Sequence, residues 1–591
     1  MAVFRGFSVV LLGWAWATNA AAQSPRLLAE ALGPDERVAV DGVLDEPVWA
    51  RAQRTGGFVE RRPVRGATPP VDTRFSVAYD EGALYFALIC ETDRPPRAFE
   101  LTRDTFRIFD DDAISIKLDV RHDRRNTVGF VVNANGAQLD YVAVDNGRSF
   151  RREFDAVWEA ETAVHEGEFI VEMRIPVPAL GLAPAPGGRI LGLEISRDHN
   201  ARRATYDWAP IPVEFGAFSA LHYGELEVPG ALTGGRQFTL IPYVLGGLRE
   251  DDPSRFPSGQ PWATSAGVDA RMRIGQDAWG EVTLLTDFAQ VDLDDPAINL
   301  NRFPLFFPER RPFFLTGLDV FEFGAEGIAQ PFFSRRIGLD QNRDEILMLG
   351  GAKVYGRIRT GEDTSLNVGL LQAVTEDGGV QGTSVGRLRL NFGEASYIGA
   401  ISTLLLRGER RPAVTAGGDF LYRTGRFEVR GFGAGSFGTD ELEEEEIDEG
   451  PVRRGVAAQV ATRWRGEVVR PTLTLRYIDE RFDPKVGFVR RRNIVEAAGE
   501  VQFQHRTSAL GLEAVDVFVG GSQILSSDLE TDLGRTASLS MDMSWVDGWF
   551  YSVGAEAYRD VVEEDFELVG RNVEAGNYDG VRVFSSISRS E

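Results

Sequence analysis

The chain has 591 residues, with 89 acidic against 64 basic side chains and a net charge of −25. That balance argues against nucleic acid as a partner, since phosphate binding needs clustered Lys and Arg. Cys90 is the only cysteine, so no intrachain disulfide can form, and the length argues for at least two domains.

Residues 1–22 read as a secretory signal. Arg5 gives a positive start, Val9 to Ala17 an apolar core, and Ala20-Ala21-Ala22 a small-residue cleavage site. No later run reaches the roughly 18–20 apolar residues of a membrane helix, so a membrane location would require a barrel.

Residues 23–232 read as an all-β domain. Strand-like runs such as Leu84–Cys90, Ala113–Val120, Val128–Asn133 and Ile190–Ser196 are separated by turn signals such as Asp145-Asn-Gly147. Such spacing predicts a β-sandwich of two antiparallel sheets. Cys90 lies inside an apolar strand and reads as a core residue rather than a nucleophile. Trp49 reads as core, whereas Trp208, near a loop ending, reads as the exposed ring.

From residue 236 to 591, short runs alternate apolar with polar. In Thr536–Trp545, Ala537, Leu539, Met541, Met543 and Trp545 share one face, and Thr536, Ser538, Ser540, Asp542 and Ser544 the other. Asp547-Gly548 then gives a hairpin turn, and Tyr551 and Val553 continue the apolar face. Val282/Leu284/Phe288, Leu388/Leu390/Phe392 and Leu473/Leu475/Tyr477 repeat the pattern. More than ten such runs after an export signal predict a transmembrane β-barrel with these apolar halves facing lipid.

Alternation stops over residues 293–345. Phe303–Leu315 holds five Phe and three Pro in thirteen residues, which suits neither a ladder strand nor a helix. It is expected inside the barrel, its rings packed together and Arg310 or Arg311 paired to lumen acids. The acidic run Glu441–Glu446 reads as a solvated external loop. The chain ends at Ser590-Glu591 rather than on an aromatic strand end, so the strands near Phe238 and Ser588 are expected to leave the barrel unclosed, as in a truncated chain.

Catalytic signatures are absent from the sequence. His122, His165, His199, His222 and His505 show no metal-ligand spacing, and neither a nucleophile elbow nor a phosphate-binding loop occurs. No catalytic residue, metal or cofactor is therefore assigned. Asp110-Asp111-Asp112 reads as a strand start whose acids tie down backbone.

Val40-Asp-Gly-Val-Leu-Asp-Glu-Pro-Val-Trp49, Val77-Ala-Tyr-Asp-Glu-Gly-Ala-Leu-Tyr-Phe86, Asp111-Asp-Ala-Ile-Ser-Ile-Lys-Leu-Asp119 and Tyr206-Asp-Trp208 occur in that order. In these motifs the N-terminal region resembles the family 9 carbohydrate-binding modules. Asp287-Phe-Ala-Gln-Val291, Asn299-Leu-Asn-Arg-Phe303, Phe306-Phe-Pro-Glu-Arg-Arg-Pro-Phe-Phe314 and Phe482-Asp-Pro-Lys-Val-Gly-Phe488 resemble an uncharacterised outer-membrane barrel family that often follows such a module.

The resemblance implies a jelly-roll sandwich that clamps a sugar between two rings, which fall at Phe109 and Trp208. They should lie on one surface, facing across a sugar's thickness. The sequence departs from the family pattern at Ser115, where a carboxylate is expected, and at Phe109, where Trp is. It implies a bacterial outer-membrane protein with a periplasmic module, contacting lipid and capturing glycans or oligosaccharides for uptake or catabolism. Alternatives are a glycoside hydrolase or its accessory part, acting on O-glycosyl bonds, and a structural barrel whose module does not bind.

Overall fold

The computed structural model describes residues 24–589 apart from 145, 148, 152–153, 183–184, 186, 213–214, 234–237, 249–261, 275–277, 286–298, 300–301, 341–345, 362–363, 394, 409–410, 439–452, 508 and 569–570. The signal-like segment, Phe288, Asp287–Val291, the acidic run and the final Ser590-Glu591 lie outside the described residues.

The N-terminal third is a two-sheet sandwich. The larger sheet orders Arg26–Leu28, Gly224–Val228, Arg189–His199, Ala113–Asp119, Thr127–Asn133, Gln138–Val144 and Ser149–Arg151, with Ala204–Asp207 and Val59–Arg62 continuing off Arg189–His199. The smaller orders Glu159–His165, Glu168–Pro176, Ala83–Glu91, Thr73–Tyr79 and Glu30–Ala31. Successive strand residues point to opposite faces, so Ile114, Ile116 and Leu118 meet Phe86, Leu88 and Phe169 between the sheets. Cys90 is buried in this core, and burial pushes its thiol up to about 11. Trp49 is buried beside the sandwich, its indole Nε1 donating to Glu172 Oε1 at 3.1 Å.

The remainder is a sixteen-stranded antiparallel meander from Phe238–Leu248 to Gly576–Arg589. Asp532–Trp545 pairs with Trp549–Val562 across a turn whose Gly548 has φ 86°, the left-handed geometry that Asp-Gly supplies. Met541 is registered against Val553 and Met543 against Tyr551, which places the apolar halves on one face. Leu240, Val282, Leu388, Leu473, Leu475, Val519, Leu539 and Val583 form an exposed apolar exterior. The other face carries charge pairs, among them Arg387 donating twice to Asp419 at 2.7 and 2.8 Å and Arg423 paired to Glu428 at 2.7 Å.

The Phe/Pro-rich segment lies within the curl of this sheet. Phe313, Phe314, Val320, Phe321, Phe323 and Phe332 share one core with Tyr355, Leu371, Val385, Ile401, Phe432, Ala457, Ile494 and Leu533, residues spread over strands 347–545. Arg302 forks onto Asp560 at 2.9 Å twice, while Thr316 donates to Glu281 at 2.6 Å. One short segment can touch the third and the fifteenth strands only if the sheet wraps it. Among the described residues, no ladder joins Phe238–Leu248 to Gly576–Arg589.

One expectation for this segment is corrected. Pro312–Leu315 does form a helical turn, with Pro at its first position, where the missing N–H costs nothing. Arg311 pairs with the segment's own Glu309 at 2.8 Å. The Arg311 amide and guanidinium both reach Glu309, and Ser334 O and Ile337 O accept further guanidinium N–H groups. A buried charge needs such pairing.

The sandwich sits against one end of the curled sheet. Arg121 reaches Asp319 at 3.3 Å and Arg151 reaches Glu322 at 3.3 Å, both on the internal segment. Arg125 donates to Asn391 at 3.1 Å and lies 4.7 Å over the Tyr397 ring. Arg465 stacks 5.5 Å from the Phe215 ring.

Introducing Arg at Met541 should impair membrane insertion, because a charge at mid-bilayer costs roughly 2–4 kcal/mol in such barrels. Arg at the neighbouring Ser540 should be tolerated. Heat-modifiable mobility in outer-membrane fractions checks this, and equal tolerance of both variants would mark a soluble sheet.

Candidate functional site

Trp208 lies in the core between the sheets, 4% exposed and edge-on to Phe75 at 5.3 Å. Phe109 is half-buried and packs on the outer face of the larger sheet, against Phe106 at 5.9 Å and Tyr141 at 6.5 Å. The two rings therefore lie on opposite faces of that sheet and form no clamp. Period-2 alternation explains the correction for Trp208. It follows Tyr206 by two positions, so both rings point inward while Asp207 points out. Its amide donates to Ile195 O at 3.0 Å and to Glu194 Oε1 at 3.1 Å, which fixes that orientation.

The acids of Asp110-Asp111-Asp112 hold backbone, as their sequence position suggests. Asp111 accepts from the Phe99 and Glu100 amides at 2.9 and 3.0 Å, and Asp112 from the Arg97 amide at 2.6 Å. Among the described residues, no cluster of His, Cys, Asp and Glu could hold a metal ion.

A different group of residues stands out on the outer face of the larger sheet. Strand register places Asp207, Ser196 and Ser115 in one row, and Glu194, Lys117, Gly129 and Tyr141 in the next. Lys117 Nζ donates to Ser196 Oγ at 2.7 Å, and Ser196 donates to Asp207 Oδ1 at 2.7 Å. Arg61 closes the row on Asp207 at 3.1 Å. Lys117 also lies 5.4 Å from the Phe218 ring centroid. Ser115 Oγ and Tyr141 Oη are both buried without a hydrogen-bond partner, an arrangement that costs free energy.

Half-buried rings border this row. Phe150 and Phe218 meet edge to face at 4.8 Å, and Tyr141 meets Phe218 at 5.6 Å. Burial holds the Lys117 ammonium below its usual range, raises the Glu194 carboxyl well above its own with Asp207 adding to the rise, and pushes the Tyr141 phenol up. Desolvation thus disfavours the charged forms here. Hydroxyls, an amine and carboxyls lie covered in this row, and the half-buried rings beside it offer apolar faces at the surface.

Gly129 makes the arrangement possible. A Cβ there would lie 2.1 Å from Tyr141 Cζ, so the Tyr141 ring occupies the space above a bare backbone. Sequence reasoning passed over Lys117, Gly129, Tyr141, Ser196 and Asp207. The signal was a Ser115-x-Lys117 alternation opposite Ile114, Ile116 and Leu118, which marks polar side chains on a face that proves to be covered.

Comparison with known proteins follows these two regions. One family model, DUF5916, matches part of the chain. The match to this domain of unknown function spans residues 236–384, the opening strands of the meander and the internal segment. A family 9 carbohydrate-binding module from Caldicellulosiruptor kristjanssonii, solved in complex with cellotriose, is similar at 20% identity and TM-score 0.27, covering 35% of this chain and 94% of that one. OpdL of Pseudomonas aeruginosa is similar at 9% identity and TM-score 0.26, covering 80% of this chain and 98% of that one. OmpT, an outer membrane protein of Vibrio cholerae, is similar at 9% identity and TM-score 0.21, covering 42% and 92%. No curated protein matches the chain.

Gly129→Ala should displace the Tyr141 ring and destabilise the sandwich by about 1–3 kcal/mol, the usual cost of overpacking. Denaturant unfolding followed by tryptophan fluorescence measures it. In a Tyr141→Ala background the added cost of Gly129→Ala should largely vanish, and its persistence there would show that the ring is not what the new methyl meets.

Proposed function

We propose that this chain is an outer-membrane protein that binds carbohydrate through its sandwich, in the service of glycan uptake or catabolism. The carrying observation is the patch of half-buried rings, Phe106, Phe109, Phe150 and Phe218, beside a covered polar row in which the Ser115 and Tyr141 hydroxyls are unpartnered. Sugars present hydroxyls that need donors and acceptors and CH faces that pack on aromatic rings. Phe109 belongs to the bordering rings, while Trp208 supports the sheet from behind. The motifs shared with family 9 modules support the same reading, and the apolar exterior of the meander supports residence in a bilayer.

Immobilised full-length protein in detergent should retain a defined oligosaccharide on a glycan array. Phe109→Ala should weaken that retention by at least about tenfold, as loss of a stacking ring does, with the fold intact by circular dichroism. Retention of no glycan by the parent chain, or equal retention by the variant, overturns the reading.

We further propose that the sandwich faces the periplasm, a reading that the connection lengths support. It lies at the end where the meander turns are short, as between Thr424 and Phe427 and between Trp464 and Val469. Longer connections, such as residues 479–493 and 563–575, lie at the other end. Outer-membrane barrels keep short turns inside and long loops outside. Single cysteines test this, because the native Cys90 is buried with its thiol held up to about 11 and stays unreactive. Gly378→Cys should label with an impermeant maleimide on intact cells, and Glu467→Cys only after permeabilisation. The reverse pattern would invert the topology.

A further inference from the structure

Two of the half-buried rings on the sandwich lie on segments that also touch the second region. Phe150 is followed by Arg151, which pairs with Glu322 of the internal segment at 3.3 Å. Phe218 belongs to a strap, residues 215–223, whose Phe215 ring centroid lies 5.5 Å from the Arg465 guanidinium of the curled sheet.

The two segments are held differently. Phe150 sits in the strand Ser149–Arg151, laddered to Gln138–Val144. Among the described residues no strand runs between Asp207 and Gly224, so the strap has no ladder of its own. Single bonds near the long end of the hydrogen-bond range tie it to the sheet. Ala217 O accepts from Lys117 at 3.2 Å, and Asn146 Oδ1 accepts from the Ser219 hydroxyl at 3.4 Å and the Leu221 amide at 3.3 Å. Within the strap, the Ser219 amide donates to Gly216 O at 3.0 Å and the His222 amide to Ser219 O at 3.1 Å. The Phe215 and His222 rings meet at 4.3 Å, so the strap moves as one piece.

The other side of the contact is fixed. Arg465 donates to Glu428 at 2.7 Å, Glu428 also accepts from Arg423 at 2.7 Å, and the Arg465 amide donates to Arg426 O at 2.8 Å. A guanidinium held in this way offers a stationary cation to an aromatic ring.

Phe218 meets Phe150 edge to face at 4.8 Å and Tyr141 edge to face at 5.6 Å. In such packing one ring's edge occupies the other's face, so a stacking surface between Phe150 and Phe218 is already taken. A sugar ring laid there must part the two, and the unladdered strap is the side that yields.

We infer that the curled sheet restrains carbohydrate binding through an autoinhibitory contact. Arg465 holds Phe215, the strap carries that hold to Phe218, and Phe218 keeps its place against Phe150. This rests on the reading of the ring patch as the carbohydrate site and adds its regulation. The ligand and the Arg465–Phe215 contact oppose one another, each weakening the other by the same factor.

Full-length protein in detergent on the glycan array tests this. Arg465→Gln and Phe215→Leu should each raise retention of the glycan held by the parent chain at least about threefold, the scale of a cation–ring contact. The double variant should add nothing further, since either change alone removes the contact. Glu428 keeps Arg423 in the first variant, leucine keeps bulk beside His222 in the second, and circular dichroism verifies both folds. Without any glycan, hydrogen exchange at the Ser219 and Leu221 amides should quicken in both variants, while the Phe150 and Arg151 amides stay unchanged. Unchanged or weaker retention in both variants, or unaltered exchange in the strap, overturns the inference, while loss of retention in Phe109→Ala still upholds the carbohydrate site. Retention of no glycan by the parent chain and both variants overturns the carbohydrate reading itself, and the inference with it.

Discussion

Backbone N–H and C=O groups withdrawn from water must find partners within the protein, and this demand shapes the second region. Fifteen successive antiparallel ladders meet it for the strands between Phe238–Leu248 and Gly576–Arg589 by pairing each with the next. Alternation then leaves one face of the sheet as the apolar exterior and one toward the interior. The interior face carries Lys353, Arg387, Arg423, Glu281, Glu428 and Asp419, each too costly to bury unless paired. Their pairing across neighbouring strands, as in Arg387 with Asp419, is the consequence of a wall that has only one dry side.

A wide curl of this kind needs contents, and the internal segment supplies them. Its rings fill the space between wall residues as far apart in sequence as Met348 and Leu533. One buried charge pair is settled within it, since Glu309, Arg311 and Ser334 satisfy one another. Wall and segment are joined where Lys353 donates to the Phe313 and Thr316 carbonyls and pairs with Glu281 at 3.1 Å. The segment thus behaves as a small prepacked core around which the sheet is wrapped.

Much of this was legible in the sequence because period-2 alternation is a direct image of a two-sided sheet. Thr536–Trp545 falls within Asp532–Trp545 and ends with it, and Asp547-Gly548 predicts its turn. The same rule, carried two residues on from Tyr206, would have placed Trp208 inside. Nearness to a loop gave the opposite answer because a strand's end can still point inward. Arg311 was legible as a residue needing an acid, and its partner Glu309 lies two residues away, on the same side of an extended stretch. The polar row around Lys117 was hidden for a further reason. Lys117 and Tyr141 come together only through Gly129 on the strand between them, a juxtaposition that register decides and composition does not show.

The two ends of the internal segment are held by different physics. At the sandwich end, Arg121 and Arg151 grip Asp319 and Glu322, with Arg121 and Glu322 each about two-fifths exposed. Ion pairs that water reaches are individually weak and are screened by salt. At the far end, strand pairing between Ala329–Gln330 and Phe488–Val489 combines with the Phe306, Phe333 and Phe488 rings, neither of which salt weakens. The segment is consequently anchored firmly on the long-loop side and tied electrostatically to the sandwich. Any event that alters charge around Arg121 or Arg151 acts on the more exposed of the two attachments.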